Sequence, residues 1–195
     1  MKIRYLIILC ITVILAGCTA GVPYIAPMQL SAPQHEIVGI ISDMGQEILL
    51  FDYSVGDAFA NMEVWGEVLR YGEWFGSMGG HFMYNFEGFG VGRLGIFIRH
   101  CRFADEFQYI IYAEGKAVLS PVLSHDSEIM SRMYGILDET VQIIDGQDII
   151  LYISKFQTGH EALVINDFQY LVQNPEAFEG YTYVHLIKVR FSRSG

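Results

Sequence analysis

From residue 35 onward the chain is written in short apolar or alternating runs separated by turn residues, the pattern of a strand-rich fold. "EIVGII" (36–41) precedes Ser42-Asp43-Met44-Gly45, and "EILLFDYSV" (47–55) precedes Gly56-Asp57. "MEVWGEVLRYG" (62–72) and "HFMYNF" (81–86) follow. "RLGIFIRHCRF" (93–103) and "FQYIIYAEG" (107–115) read as a hairpin around Ala104-Asp105-Glu106. "TVQII" (140–144) and "DIILYISKF" (148–156) read as a second hairpin, because Asp145-Gly146 accepts the positive φ of a tight turn. "TYVHLIKVRFS" (182–192) sets Tyr183, His185, Ile187, Val189 and Phe191 against Val184, Leu186, Lys188 and Arg190.

Two stretches carry the helical period instead. Ile129, Met130, Met133, Tyr134 and Leu137 recur at three-to-four spacing, with Asp126 or Ser127 as the cap. "FQYLV" (168–172) follows Asn166-Asp167 and must stop near Asn174-Pro175. About nine strands without regular strand–helix alternation predict a mostly β fold: an antiparallel β-sandwich with one or two short helices. An open β-barrel is the alternative.

The N-terminus breaks this pattern. Lys2 and Arg4 precede Tyr5–Ile14, in which only Thr12 is polar, and Leu15-Ala16-Gly17-Cys18 follows. The apolar run is shorter than the roughly 20 residues a bilayer crossing needs. A basic start, a short apolar core and small residues before a cut site describe an export signal. Leu15-Ala16-Gly17-Cys18 also resembles the lipobox of bacterial lipoproteins. The resemblance implies cleavage after residue 17, acylation of Cys18, and an extracytoplasmic protein held on a bacterial membrane, cell or outer, by lipid. Thr19 is not the Asp that would imply inner-membrane retention. The remainder resembles small lipoproteins of single-membrane bacteria that end in an aromatic, strand-rich segment, a likeness that transfers no residue role. The expected organisation is a signal over 1–17, the lipidated cysteine and an extended tether over 18–34, and one β-rich domain over 35–195. "TAGVPYIAPMQLSAPQ" (19–34) has three prolines and no charge. Extended, it would reach at most about 50 Å. Tyr24, Ile25, Met28 and Leu30 leave open that part of it packs on the domain.

Losing residues 1–17, which hold Lys2 and Arg4 and no acid, takes the formal charge from −10 to −12. That argues against nucleic acid, which is bound through cationic contacts to phosphate. With Cys10 in the signal and Cys18 acylated, Cys101 stands alone and no internal disulfide forms. The 13 Phe, 12 Tyr and 2 Trp suit cross-strand pairing.

Catalytic motifs are poorly represented. Gly90-Val91-Gly92-Arg93-Leu94-Gly95 fits G-x-G-x-x-G, but strand-like "IFIRH" follows where a dinucleotide site needs a helix. It reads as a glycine turn or bulge between strands. His35, His81, His100, His125, His160 and His185 show no metal spacing, and Asp138, Glu139, Asp145 and Asp148 do not match a calcium loop. Ser77 merely sits among glycines. Cys101, between His100 and Arg102, reads as a small core residue. No cofactor, metal or catalytic set is assigned. Aromatic density is the one positive signal: Trp65, Tyr71, Trp74, Phe75, Phe82, Tyr84, Phe86 and Phe89 crowd one glycine-punctuated stretch with Glu67, Glu73, Glu87 and Arg70. Either these rings fill the core, or a subset (Trp74, Phe75, Trp65 and Tyr71) binds a glycan, a peptide or an envelope protein. Trp74 and Phe75 are consecutive, so an extended chain turns one of them away from the core. The expectation is a membrane-anchored, non-catalytic binding or envelope-accessory domain. The alternatives are a surface hydrolase built from scattered His and acids, and a structural part of an envelope assembly.

Overall fold

The computed structural model describes residues 21–43, 46–57, 59–86, 90–101, 106–124, 129–158 and 168–193. The signal, Cys18, Phe89, His125 and His160 lie outside them. The described elements, in order, are β1 (Tyr24–Pro27), α1 (Ala32–Asp43), β2 (Gln46–Val55), β3 (Phe59–Arg70), β4 (Glu73–Ser77) and β5 (Phe82–Asn85). Then come β6 (Gly90–Cys101), β7 (Glu106–Ala113), β8 (Lys116–Leu119), β9 (Leu123–Ser124), β10 (Ile129–Ile136), β11 (Val141–Gln142) and β12 (Asp148–Thr158). α2 (Phe168–Gln173), a 3-10 turn (Pro175–Gly180) and β13 (Tyr183–Arg193) complete the set.

The strands form two antiparallel sheets. The first runs β11-β1-β2-β6-β7-β8, with β9 also on β7. The second runs β10-β12-β13-β3-β4, with β5 beside β4 on the same edge of β3. Among the described residues no strand pair joins the two sheets, so they make a sandwich and not a barrel. Alternation explains the layering. β2 buries Leu49, Phe51, Tyr53 and Val55, and β13 sends Ile187, Val189 and Phe191 to meet them. Rings cross the gap: Tyr53 lies 5.8 Å from Phe191, and Phe107 lies 4.7 Å from His185 and 6.4 Å from Tyr152. Gly66 on β3 leaves room for Met78 and for Tyr109, whose hydroxyl donates to the Gly79 carbonyl.

Charge also crosses the interior. Arg132 donates to Glu47 of the opposite sheet at 2.9 Å, to the Tyr152 hydroxyl at 2.7 Å and to the Ser154 hydroxyl at 3.0 Å. Burial pushes the Tyr152 phenol above its ordinary range, more than Arg132 draws it down, so it stays protonated.

Four expectations need correction. Residues 24–27 are not tether: they form β1 between β11 and β2, and Ile25 is buried. The domain therefore begins by Tyr24 and not at residue 35. Residues 36–41 belong to a helix, not a strand. Gln34 caps its start, its Oε1 accepting from both the Ser31 N–H and the Ser31 hydroxyl at 2.8 Å, and Pro33 suits the first turn. Residues 129–136 form a strand on β12, not a helix; Arg132 faces inward and is bonded there, which disguised the alternation. The 140–156 hairpin does not form: β11 pairs with β1 in the first sheet while β12 lies in the second. Asp145-Gly146 turns the chain from one layer to the other. The β6–β7 hairpin and the short helix at 168–173 stand as expected.

Candidate binding site

β3 and β4 join through Tyr71 and Gly72, at φ 51° and 79°, a two-residue turn with both centres left-handed. Tyr71 tolerates that conformation because the turn is pinned. Its N–H points at the carbonyls of Tyr181 (3.2 Å) and Thr182 (3.4 Å). Gly72 is packed against Glu179, where a Cβ would lie 2.9 Å from the Glu179 Cα. The tip is therefore seated on the 3-10 turn and fixed in place.

The ladder shifts register between Val68 and Leu69: Trp74 faces Leu69 and Gly76 faces Val68, leaving Phe75 as the extra residue of a bulge. That bulge changes the expected arithmetic. Instead of one ring of the Trp74–Phe75 pair being turned out, both are, at 67% and 59% exposed, and Tyr71 beside them is 56% exposed. The Arg70 guanidinium lies 5.7 Å from the Phe75 ring, 5.9 Å from Tyr71 and 5.6 Å from Tyr183. Phe75 meets Tyr183 edge-on at 6.4 Å. Two exposed rings, Tyr71 and Phe75, thus flank Arg70, and Trp74, opposite Leu69, stands exposed on the same hairpin. Aromatic rings and arginine are residue types enriched at protein contacts.

Trp65 is not brought to this tip. It lies five residues up β3 from Arg70, about 17 Å away along the strand, half-buried on the outer face of the second sheet. Its indole N–H donates to Glu67 at 2.8 Å, and the Arg190 guanidinium lies 5.1 Å from its ring. Glu67 also accepts from Lys188 at 2.6 Å, and Asp148 accepts from Arg190 at 2.7 Å. His81 stands 3.6 Å from Glu63. Burial raises the Glu67 carboxyl, but the Lys188 and Trp65 donors with the nearby Arg190 charge outweigh it and hold it below its ordinary range. The alternation of β13 already placed Lys188 and Arg190 on one face; their acidic partners on β3 and β12 became visible only once strand order was known.

The other aromatics divide as the core reading required: Phe82 is buried, and Tyr84 and Phe86 pack partly against the core. The G-x-G-x-x-G stretch lies inside β6. At Gly92 a Cβ would meet the Tyr53 ring and Glu114, and at Gly90 it would lie 2.7 Å from Val55. Those glycines admit protein side chains. Asp148 is paired with Arg190, and Asp145 accepts the Arg193 N–H at 2.9 Å. Among the described residues no three His, Cys, Asp or Glu converge on a metal position. Ser77 Oγ accepts the Gly79 N–H at 3.1 Å and orders that turn. Cys101 pairs by its backbone with Glu106 at the end of β6. A cleft of about 270 Å³ opens between α2 and the second sheet, lined by Leu137, Ile150, Phe168, Val172, Asp148 and Lys188, the last two engaged with neighbouring charges.

Among the described residues no helix is long and apolar enough to cross a membrane. Comparisons of the chain with protein-family models, curated proteins and solved structures gave no match.

Proposed function

We propose that this chain is an extracytoplasmic lipoprotein, acylated at Cys18, whose sandwich domain is a non-catalytic binding module that meets its partner with the β3–β4 hairpin. The lipid reading rests on Leu15-Ala16-Gly17-Cys18 and its flanks. The binding reading is carried by one observation: Tyr71, Trp74 and Phe75 are each more than half exposed on a single pinned tip. Folding gains nothing from three large rings left in water, whereas a partner would bury them at about 25 cal/mol per Å². Their rigidity lowers the entropy cost of contact. Arg70 adds a charged group that stacks and donates hydrogen bonds.

The test uses the full lipidated chain in detergent-solubilised membranes. Trp74→Ala with Phe75→Ala should leave the melting temperature within the range of ordinary surface changes and abolish capture of the partner that the wild type retains. Capture at wild-type level by the folded double variant would refute the hairpin as the contact surface.

A further inference from the structure

The first two elements after Cys18 leave apolar groups uncovered. α1 packs along β2 with Val38 and Ile41 half-buried. Ile37 and Ile40, three apart and so neighbours on the helix surface, are 59% and 58% exposed. Val22, just before β1, is 62% exposed, and Tyr24 within it is 38% exposed. Ile144, just beyond the strand that pairs with β1, is 53% exposed. α1 contains no Lys or Arg. A helix solvated on its outer side normally shows charge there; this one exposes Ile37 and Ile40 beside His35 and Glu36.

Reach decides what these groups meet. From Cys18 to Tyr24 is six residues, at most about 20 Å of extended chain. A domain tied to acyl chains so closely stays at the headgroups, with its first strand and helix nearest the lipid.

We propose that α1 lies in the headgroup–acyl boundary of the membrane that holds the Cys18 lipid, with Ile37 and Ile40 inserted. This rests on the lipid-anchor reading above. With no basic residue in α1, insertion draws on apolar burial, so zwitterionic lipid suffices. The sheet order keeps the aromatic tip clear of the bilayer. Glu47 on β2 meets Arg132 on β10, whereas Tyr109 on β7 meets Gly79 beside the β3–β4 edge. The start of β2, where α1 leads into it, therefore sits toward the β10 side of the sandwich, and β4 lies at the opposite edge of the second sheet.

The experiment takes the lipidated full chain, carrying Cys101→Ser, in phosphatidylcholine vesicles. An environment-sensitive fluorophore is placed at Ile40→Cys or, as the control, at the exposed Tyr170→Cys on α2. Cys18 acylation is read in parallel by fatty-acid labelling. The proposal expects the emission from position 40 to shift to the blue and to be quenched by spin-labelled lipid, while position 170 stays water-like. Water-like emission at 40 with intact acylation overturns this inference and leaves the anchor standing. Absent acylation overturns the anchor and this inference together. A blue-shifted position 40 that spin-labelled lipid does not quench, and that reverts on diluting the protein in the bilayer, means a second copy covers α1 and overturns lipid insertion.

Discussion

Gly92→Ala tests whether the glycine motif in β6 serves packing. A methyl at 92 would overlap the Glu114 carboxylate and the Tyr53 hydroxyl and lie 2.7 Å from Tyr53 Cζ. Tyr53 has little freedom to yield: it is 1% exposed, with Phe86 at 5.9 Å and Phe191 at 5.8 Å. Its hydroxyl donates to Glu114 at 2.7 Å, and burial together with that bond pushes the phenol far above its ordinary range. Overpacking costs about 1–3 kcal/mol, and losing a hydrogen bond to a charged group about 1.5–3 kcal/mol. Because one displacement causes both, about 3 kcal/mol is the expected loss, a fall in Tm of roughly 6–12 °C for a domain of this size. Urea unfolding reads it, with Gly76→Ala as the control, since nothing lies within 4 Å of a Cβ there. In a Tyr53→Phe background the same substitution should cost less, because one clashing atom is gone. A wild-type midpoint for Gly92→Ala, or an undiminished cost in the Tyr53→Phe background, would refute the reasoning.

Other substitutions probe the remaining polar structure. Arg132→Met leaves Glu47 without its cross-sheet cation, and both side chains are under a quarter exposed. Urea unfolding should show a loss of about 3 kcal/mol, partly recovered by adding Glu47→Gln. Glu67 is held below its ordinary carboxyl pKa, so its contribution is complete above the unfolded value near 4.3 and is lost as pH falls through the folded value. Glu67→Gln should therefore flatten the acid limb of the stability profile below about pH 4.3 and leave its slope near neutrality unchanged.

Sequence periodicity served best where one face of a strand is buried and the other wet. β2 and the second half of β13 alternate in this way, whereas Tyr183–Ile187 are buried on both faces, and the sandwich was legible from such strands. It failed where long-range pairing overrode local pattern. β10 carries a helical spacing of apolar residues, yet its backbone is completed by β12 and its inward arginine by Glu47, 85 positions away. β11 is two residues long, and its partner β1 was hidden among prolines that suggest a tether. The S-x-x-Q pattern at Ser31–Gln34 was readable, but the apolar run after it looked like a strand. At the hairpin, composition named Tyr71, Trp74 and Phe75. It could not show that a bulge exposes both rings of the pair, nor that Trp65 belongs to a separate charged ladder.

The proposed attachment at Cys18 underlies both the placement of the domain at the membrane and the lipid contact proposed for α1. Its most direct test is fatty-acid labelling of the full chain beside Cys18→Ala, with the N-terminus of the membrane-bound form read by mass spectrometry. The account expects acyl label on the wild-type chain and a mature form beginning at residue 18. It expects no label and an unprocessed precursor for Cys18→Ala. Label persisting on Cys18→Ala, or a wild-type chain cut elsewhere and bearing no lipid, would contradict it.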